Sequence, residues 1–209
     1  HFNATNNDSL DCIETLDPTY ATENWTYANG NIDDGVTFSE ICSGNPNYTY
    51  VPDDNFEQAL IDLGYDDVLD DYVVTDSINS VTTINVNGDS ISDLTGIEGF
   101  TALTTLFCSN NALTALDISS NTALINFDCG YNSLTSLDVS SNTALTGLGC
   151  YSNELTSLDV SNNTALIALQ LQNNLLTSLD ISSNIALDHL TVQNNQLTSL
   201  DVSNNTALT

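Results

Sequence analysis

From Leu103 the chain repeats a 21-residue unit, with starts at Leu103, Leu124, Leu145, Leu166 and Leu187 and a further start at Leu208. The columns are strict. Leu106, Phe127, Leu148, Leu169 and Leu190 align, as do Leu116, Leu137, Leu158, Leu179 and Leu200. Asn111, Asn132, Asn153, Asn174 and Asn195 form a third column, and Ala123, Ala144, Ala165, Ala186 and Ala207 a fourth. A more divergent 22-residue unit precedes them, running through Val81, Ile84, Val86, Ile91 and Leu94 to Ala102. A period of this length indicates a stacked solenoid, because one such unit cannot bury its apolar face alone whereas a stack can.

Each unit is nearly doubled. Leu103-x-x-Leu106-x-Cys108-x-x-Asn111 is followed by Leu113-x-x-Leu116-x-Ile118-x-x-Asn121. Around the second and third apolar positions the residues alternate, as a half-buried strand does. The Asn that follows is suited to satisfy backbone groups where the chain turns. Neither half has room for a helix of three turns. The expected fold is a β-rich solenoid of flattened coils, with a short parallel strand on each of two sides.

The doubled Leu-x-x-Leu-x-Leu-x-x-Asn pattern resembles the leucine-rich repeat family, and its nested 21-residue form resembles the bacterial IRREKO subclass. The text Leu-Thr-Ser-Leu-Asp-Val-Ser-Asn-Asn-Thr-Ala-Leu-Thr, which recurs with variants from Leu155 onward, resembles secreted surface proteins of the Bacteroidota. The resemblance covers residues 81–209. It implies a binding scaffold, since this fold serves mainly for recognition, and a secreted or cell-surface location.

Residues 51–80 read as an N-terminal cap. Pro52 marks a helix start, Asp53, Asp54 and Glu57 favour the helix dipole, and Phe56, Ala59, Leu60 and Leu63 form one apolar face that ends at Gly64. Similar Val-Pro-Asp-Asp-Asn-Phe-Glu openings precede such repeats in the resembling proteins. Residues 1–50 hold Trp25, Cys12 and Cys42 and no repeat, and read as a small loop-rich module. In a secreted chain Cys12 and Cys42 are expected to pair as a disulfide, with two free thiols as the alternative.

Charge narrows the function. The chain has 28 Asp and Glu and no Lys or Arg, a formal net charge of −28. Binding of nucleic acid by phosphate neutralisation is excluded, as are a polybasic membrane patch and any site that needs Arg or a P-loop Lys. No apolar run approaches the roughly 18 residues of a membrane span. With no Met in the chain, His1 reads as a processed N-terminus or the start of a fragment.

Cys108, Cys129 and Cys150 occupy one inward column and read as core thiols. Asp117, Asp138, Asp159, Asp180 and Asp201 form an outward ladder flanked by serines. It reads chiefly as a solvated polar face, with Ca²⁺ as a possible ligand. Asp66, Asp67, Asp70 and Asp71 are a second possible Ca²⁺ group, and no other cofactor is expected. The outward positions of the first half-unit vary from coil to coil. Among them Phe107, Asp128, Tyr131, Tyr151, Gln170, Gln172, His189 and Gln193 are the candidate recognition surface for protein or glycan. Asp-Ser-apolar triplets place Ser9, Ser77 and Ser90 as candidate glycosylation sites. No nucleophile–base–orienter set exists, so an enzyme is not expected. The expected function is adhesion or recognition. Alternatives are a structural subunit that docks end to end into a filament, for which the repeat broken off at Thr209 is the motive, and an accessory domain of a larger secreted enzyme.

Overall fold

The computed structural model describes residues 3–5, 10, 12–15, 18–39 and 47–209. The chain divides into two compact units, His1–Thr49 and Tyr50–Thr209.

In the first unit, β1 (Cys12–Glu14) pairs in parallel with β2 (Thr37–Ser39), and α1 (Pro18–Asn24) lies between them in sequence. Trp25 meets Tyr20 edge-on at 6.2 Å and Phe38 at 5.8 Å, and Ala21 and Ile32 are buried. Cys12 is disulfide-bonded. Cys42 and Ser9 lie outside the described residues.

A strand, β3 (Tyr48–Tyr50), leads into the second unit, where α2 (Asp54–Asp62) follows. Pro52 stands outside this helix, and Asp53 is its N-cap. Its Oδ1 accepts from the amides of Asn55 (3.0 Å) and Phe56 (3.1 Å). Its Oδ2 accepts from the amide and hydroxyl of Ser92 (2.8 and 2.7 Å) and the amide of Asp93 (3.0 Å). One carboxylate thus fixes both the helix start and the loop of the divergent coil. Burial alone would raise the Asp53 carboxyl, but the bonds from Ser92, Phe56 and Asp93 outweigh it and hold it below its ordinary value. The helix ends where Tyr65 donates to the Leu60 carbonyl and Gly64, at φ +80°, donates to Ile61. Phe56, Ala59 and Leu60 join one apolar core with Ile84, Ile91 and Phe100 of the divergent coil, whereas Leu63 falls past the helix and is exposed. Two further short elements follow, β4 (Tyr72–Val74) and α3 (Thr75–Ile78).

The repeats form one six-stranded parallel sheet. Its strands are β5 (Thr83–Asn85), β6 (Thr105–Phe107), β7 (Asn126–Asp128), β8 (Gly147–Gly149), β9 (Ala168–Gln170) and β10 (His189–Thr191), paired in sequence order. The central residues Ile84, Leu106, Phe127, Leu148, Leu169 and Leu190 lie in register. A one-residue slip would turn this whole row from core to solvent, so the repeat length itself sets the register.

The expected second set of strands is absent, a correction to the two-sided reading. Residues 116–119, 137–140 and their counterparts form no strand, and among the described residues no backbone hydrogen bond joins them across coils. The second half-unit is eleven residues long instead of ten. It bends back through two successive turns, Asn121 N to Ile118 O (3.0 Å) and Leu124 N to Asn121 O (3.2 Å), repeated in each coil. Its Asp also satisfies the next serine amide locally, as Asp117 does for Ser119 at 2.9 Å. Chain that turns this tightly cannot line up a ladder with its neighbour.

Asparagines take over the cross-coil bonding. Asn153 donates to the carbonyls of Cys129 (3.1 Å) and Cys150 (3.2 Å), and its Oδ1 accepts from the Leu134 amide (3.0 Å). On the strandless side, buried Asn142 donates to Ile118 and Asn121 of the coil before it, and Asn163 and Asn184 repeat the pattern. Cys108, Cys129 and Cys150 are fully buried free thiols. Burial pushes Cys150 up to about 12 and raises the other two as well.

Candidate recognition face

The outward side chains of the sheet fall in three rows. One runs Thr105, Asn126, Gly147, Ala168, His189, and another runs Phe107, Asp128, Gly149, Gln170, Thr191. The repeat places Ser109, Gly130, Tyr151, Gln172 and Gln193 in the third. In the middle of the face Gly130, Gly147 and Gly149 supply no side chain, and the side chains of Tyr151, Asn126 and Asp128 lie over them. A Cβ at Gly130 would stand 2.4 Å from the Tyr151 ring, so only glycine lets that ring lie there.

Over these glycines three of the candidate residues meet. The Tyr151 hydroxyl donates to Asp128 Oδ2 (3.2 Å). Asp128 Oδ1 accepts from the Ser109 hydroxyl (2.6 Å) and the Gly130 amide (2.9 Å). Tyr131 meets Tyr151 edge-on, with centroids 5.4 Å apart and planes at 89°. Burial, then the charge of Asp128, raises the Tyr151 phenol, so it remains a donor.

Tyr131 departs from its column. Gly88, Asn110, Tyr131, Ser152, Asn173 and Asn194 stand in equivalent positions, and all have positive φ. Glycine and asparagine tolerate this left-handed backbone, but a bulky aromatic there is strained. Tyr131 nonetheless occupies it at φ 50° with 59% of its surface exposed. The signal lay in the sequence, as an aromatic in a Gly/Asn/Ser column.

The other candidates flank this cluster or lie farther along the sheet. Phe107 is half-buried on β6, one strand over from Asp128. Gln170 and Gln172 are half-buried, and Gln172 accepts from the Thr191 hydroxyl (2.6 Å). His189 and Gln193 are exposed in the last full coil. Ser77 and Ser90 are exposed.

The aspartate ladder is occupied locally. The backbone and hydroxyl bonds from Ser119 hold Asp117 below its ordinary value, and the corresponding serines do the same for Asp138, Asp159, Asp180 and Asp201. A cleft of about 460 Å³ opens on this side of the coils, lined by Asp93, Glu98, Leu116 and Asp117. It offers a ligand carboxylates and no basic group.

The expected group Asp66, Asp67, Asp70 and Asp71 does not converge as a set of four. Among the described residues, the carboxylates brought together are those of Asp54, Glu57 and Asp71, each with one oxygen within 4.8 Å of the others. Asp54 and Glu57 were read from the sequence only as helix-dipole partners. Glu57 sits on the inward stripe between Phe56 and Leu60, and that position was the available signal.

No family model matches the chain. Internalin J of Listeria monocytogenes is 40% identical over 72 residues, which is 34% of this chain and 8% of that protein. The solved functional domain of the same internalin, described as including a cysteine ladder, superposes with a TM-score of 0.72 at 39% identity, covering 78% of this chain and 37% of that one. The internalin inlF of the same species gives a TM-score of 0.68 at 26% identity, covering 76% and 48%. The chain therefore spans less than half of the length of these relatives. Among the described residues no helix is long and apolar enough to cross a membrane. With the register of the six-stranded ladder, these likenesses give the second unit a leucine-rich-repeat solenoid fold similar to that of the Listeria internalins.

Proposed function

We propose that the chain is the recognition part of a secreted or cell-surface bacterial protein, and that it binds a partner protein or glycan through the sheet face centred on Tyr131, Tyr151 and Asp128. The observation that carries this reading is Tyr131. An exposed aromatic ring held on a strained backbone gives the fold little, and such strain is retained where it serves a site. Its neighbours suit recognition: a second aromatic ring and a carboxylate. Similarity to internalin J, whose functional domain has a cysteine ladder as this chain has a thiol column, supports a surface interaction role. With a net charge of −28, the favoured partner surface is basic or neutral. Nothing in the site resembles a catalytic set. The finer kinship to the nested 21-residue class and to the Bacteroidota rests on the repeat text alone.

The test is a screen of the whole chain against arrayed extracellular protein domains and arrayed glycans. It is repeated with Tyr131→Asn, Tyr151→Phe and Asp159→Asn. The reading expects hits that weaken at least tenfold in the two tyrosine variants and persist in Asp159→Asn. Hits indifferent to both tyrosines, or lost with Asp159, would move the binding surface elsewhere.

A further inference from the structure

Glu57 is only 1% exposed, although it is a carboxylate in a surface helix. Its Oε1 accepts from the amides of Asp70 (2.8 Å) and Tyr72 (3.1 Å). Its Oε2 is equally buried and has no hydrogen-bond donor. One oxygen from each of Asp54, Glu57 and Asp71 falls within 4.8 Å of the other two. Asp54 and Asp71 are exposed, so the group opens to solvent. Asp71 is fixed in a left-handed conformation (φ 68°), and its carbonyl accepts from the Val51 amide at 2.8 Å. Further acid stands close: the charges of Asp66 and Asp70 act on Glu57 in the same sense as its burial, which raises its carboxyl.

A buried carboxylate needs a donor, a proton or a cation. This chain has no Lys or Arg to serve as counter-ion. His189 lies on β10 in the last full coil. The two amides on Oε1 favour the ionised form, which leaves Oε2 to be matched from outside. Oxygens placed about a shared centre at this spacing match Ca²⁺, which takes oxygen ligands at about 2.3–2.6 Å and tolerates irregular geometry; Mg²⁺ demands a smaller, near-octahedral shell.

We propose that Asp54, Glu57 and Asp71 form a divalent-cation site that takes Ca²⁺, with Glu57 Oε2 as the buried ligand and water completing the shell. The cation ties the acidic loop 66–72 to helix α2. It thereby makes the stability of this end of the solenoid depend on calcium. The site differs from the aspartate ladder, whose carboxylates bind their own serines.

The experiment uses the full chain stripped with EDTA, then given CaCl₂ or MgCl₂ alone. At a hundredfold excess over Kd, Ca²⁺ is expected to raise Tm by roughly 5–10 °C, and Mg²⁺ by less at equal concentration. Tb³⁺ is expected to gain emission sensitised by Tyr72 and to lose it when Ca²⁺ is added. Glu57→Gln is expected to match or exceed the wild-type Tm in EDTA and to lose the calcium response. Asp54→Asn and Asp71→Asn, both at exposed positions, are expected to weaken Ca²⁺ binding at least tenfold, and they decide the matter should Glu57→Gln not fold. Asp159→Asn is expected to leave the response intact. A wild-type Tm indifferent to Ca²⁺, or a response undiminished in the Asp54 and Asp71 variants, would overturn the site.

Discussion

The two halves of each coil carry nearly the same text and do different things. The first half, exemplified by Leu124 to Ser133, closes in ten residues through one left-handed position and joins its neighbours by backbone bonds. Cys108, Cys129 and Cys150 donate to the carbonyls of Asp128, Gly149 and Gln170 at 2.8, 2.8 and 3.0 Å. The second half, exemplified by Leu134 to Ala144, takes one residue more, turns twice, and, past its first residue, whose carbonyl accepts from the Glu154 amide, leaves cross-coil bonding to Asn142, Asn163 and Asn184. An Asp alone does not decide the outcome, since Asp128 makes the same bond to Gly130 inside the sheet that Asp117 makes to Ser119 outside it. The extra residue and its second turn decide it. The invariant half is therefore structural along its whole length. The sheet half needs only its inward rows and its Asn column, which frees its outward rows to differ.

The largest effects should separate the two apolar columns. Leu148→Ala, fully inside the sheet side, should cost about 3 kcal/mol in urea unfolding, and half-buried Leu116→Ala about 1 kcal/mol. Equal costs would mean that both sides pack alike. Asn153→Ala should cost about 1–2 kcal/mol, because the Leu134 amide loses its acceptor, while the Cys129 and Cys150 carbonyls keep Asn132 and Asn174 as donors.

Acid should divide the molecule more gently. The ladder carboxylates lie below their ordinary value in the fold, so their contribution is present at neutral pH and is lost as pH falls through the folded values. Glu57 and Asp66 are raised, chiefly by burial, so theirs is fullest at acid pH and fades as pH rises through the folded values. In EDTA, Glu57→Gln should therefore gain on the wild type between acid and neutral pH, and Asp159→Asn should not. Parallel pH profiles for the two variants would contradict the contrast. The smallest effect belongs to Tyr131→Asn. Relief of the left-handed strain and loss of the edge contact with Tyr151 should nearly cancel, leaving stability within about 0.5 kcal/mol of the wild type. A loss several times larger would make Tyr131 a structural residue.

The fold was largely legible because the repeat fixes period, register and inward columns: Leu106, Phe127, Leu148 and Leu169 are buried and stacked where the alignment puts them. The strandless side was not legible, because Leu116-x-Ile118 and Leu106-x-Cys108 have the same alternation and differ only in the turns that follow. On the recognition face, Asp128, Tyr131 and Tyr151 could be named as variable residues. Their meeting depends on Gly130 and Gly149, whose missing side chains show in sequence only as an absence. The acidic cluster was misplaced because the run Asp66–Asp71 is conspicuous, whereas Glu57 reaches its partners only once the loop folds back onto α2.

Amide hydrogen exchange of the intact chain tests the division of the coil most directly. Among the described residues, no acceptor takes the amides of residues 135–138, whereas the amides of Cys129 and Cys150 sit in the ladder. Exchange across residues 135–138 should be faster than across residues 127–130 by at least about 100-fold, as expected where only one segment must open to exchange. Equal protection in the two segments would mean that both sides carry strands, and the account of how this coil separates scaffold from recognition face would fail.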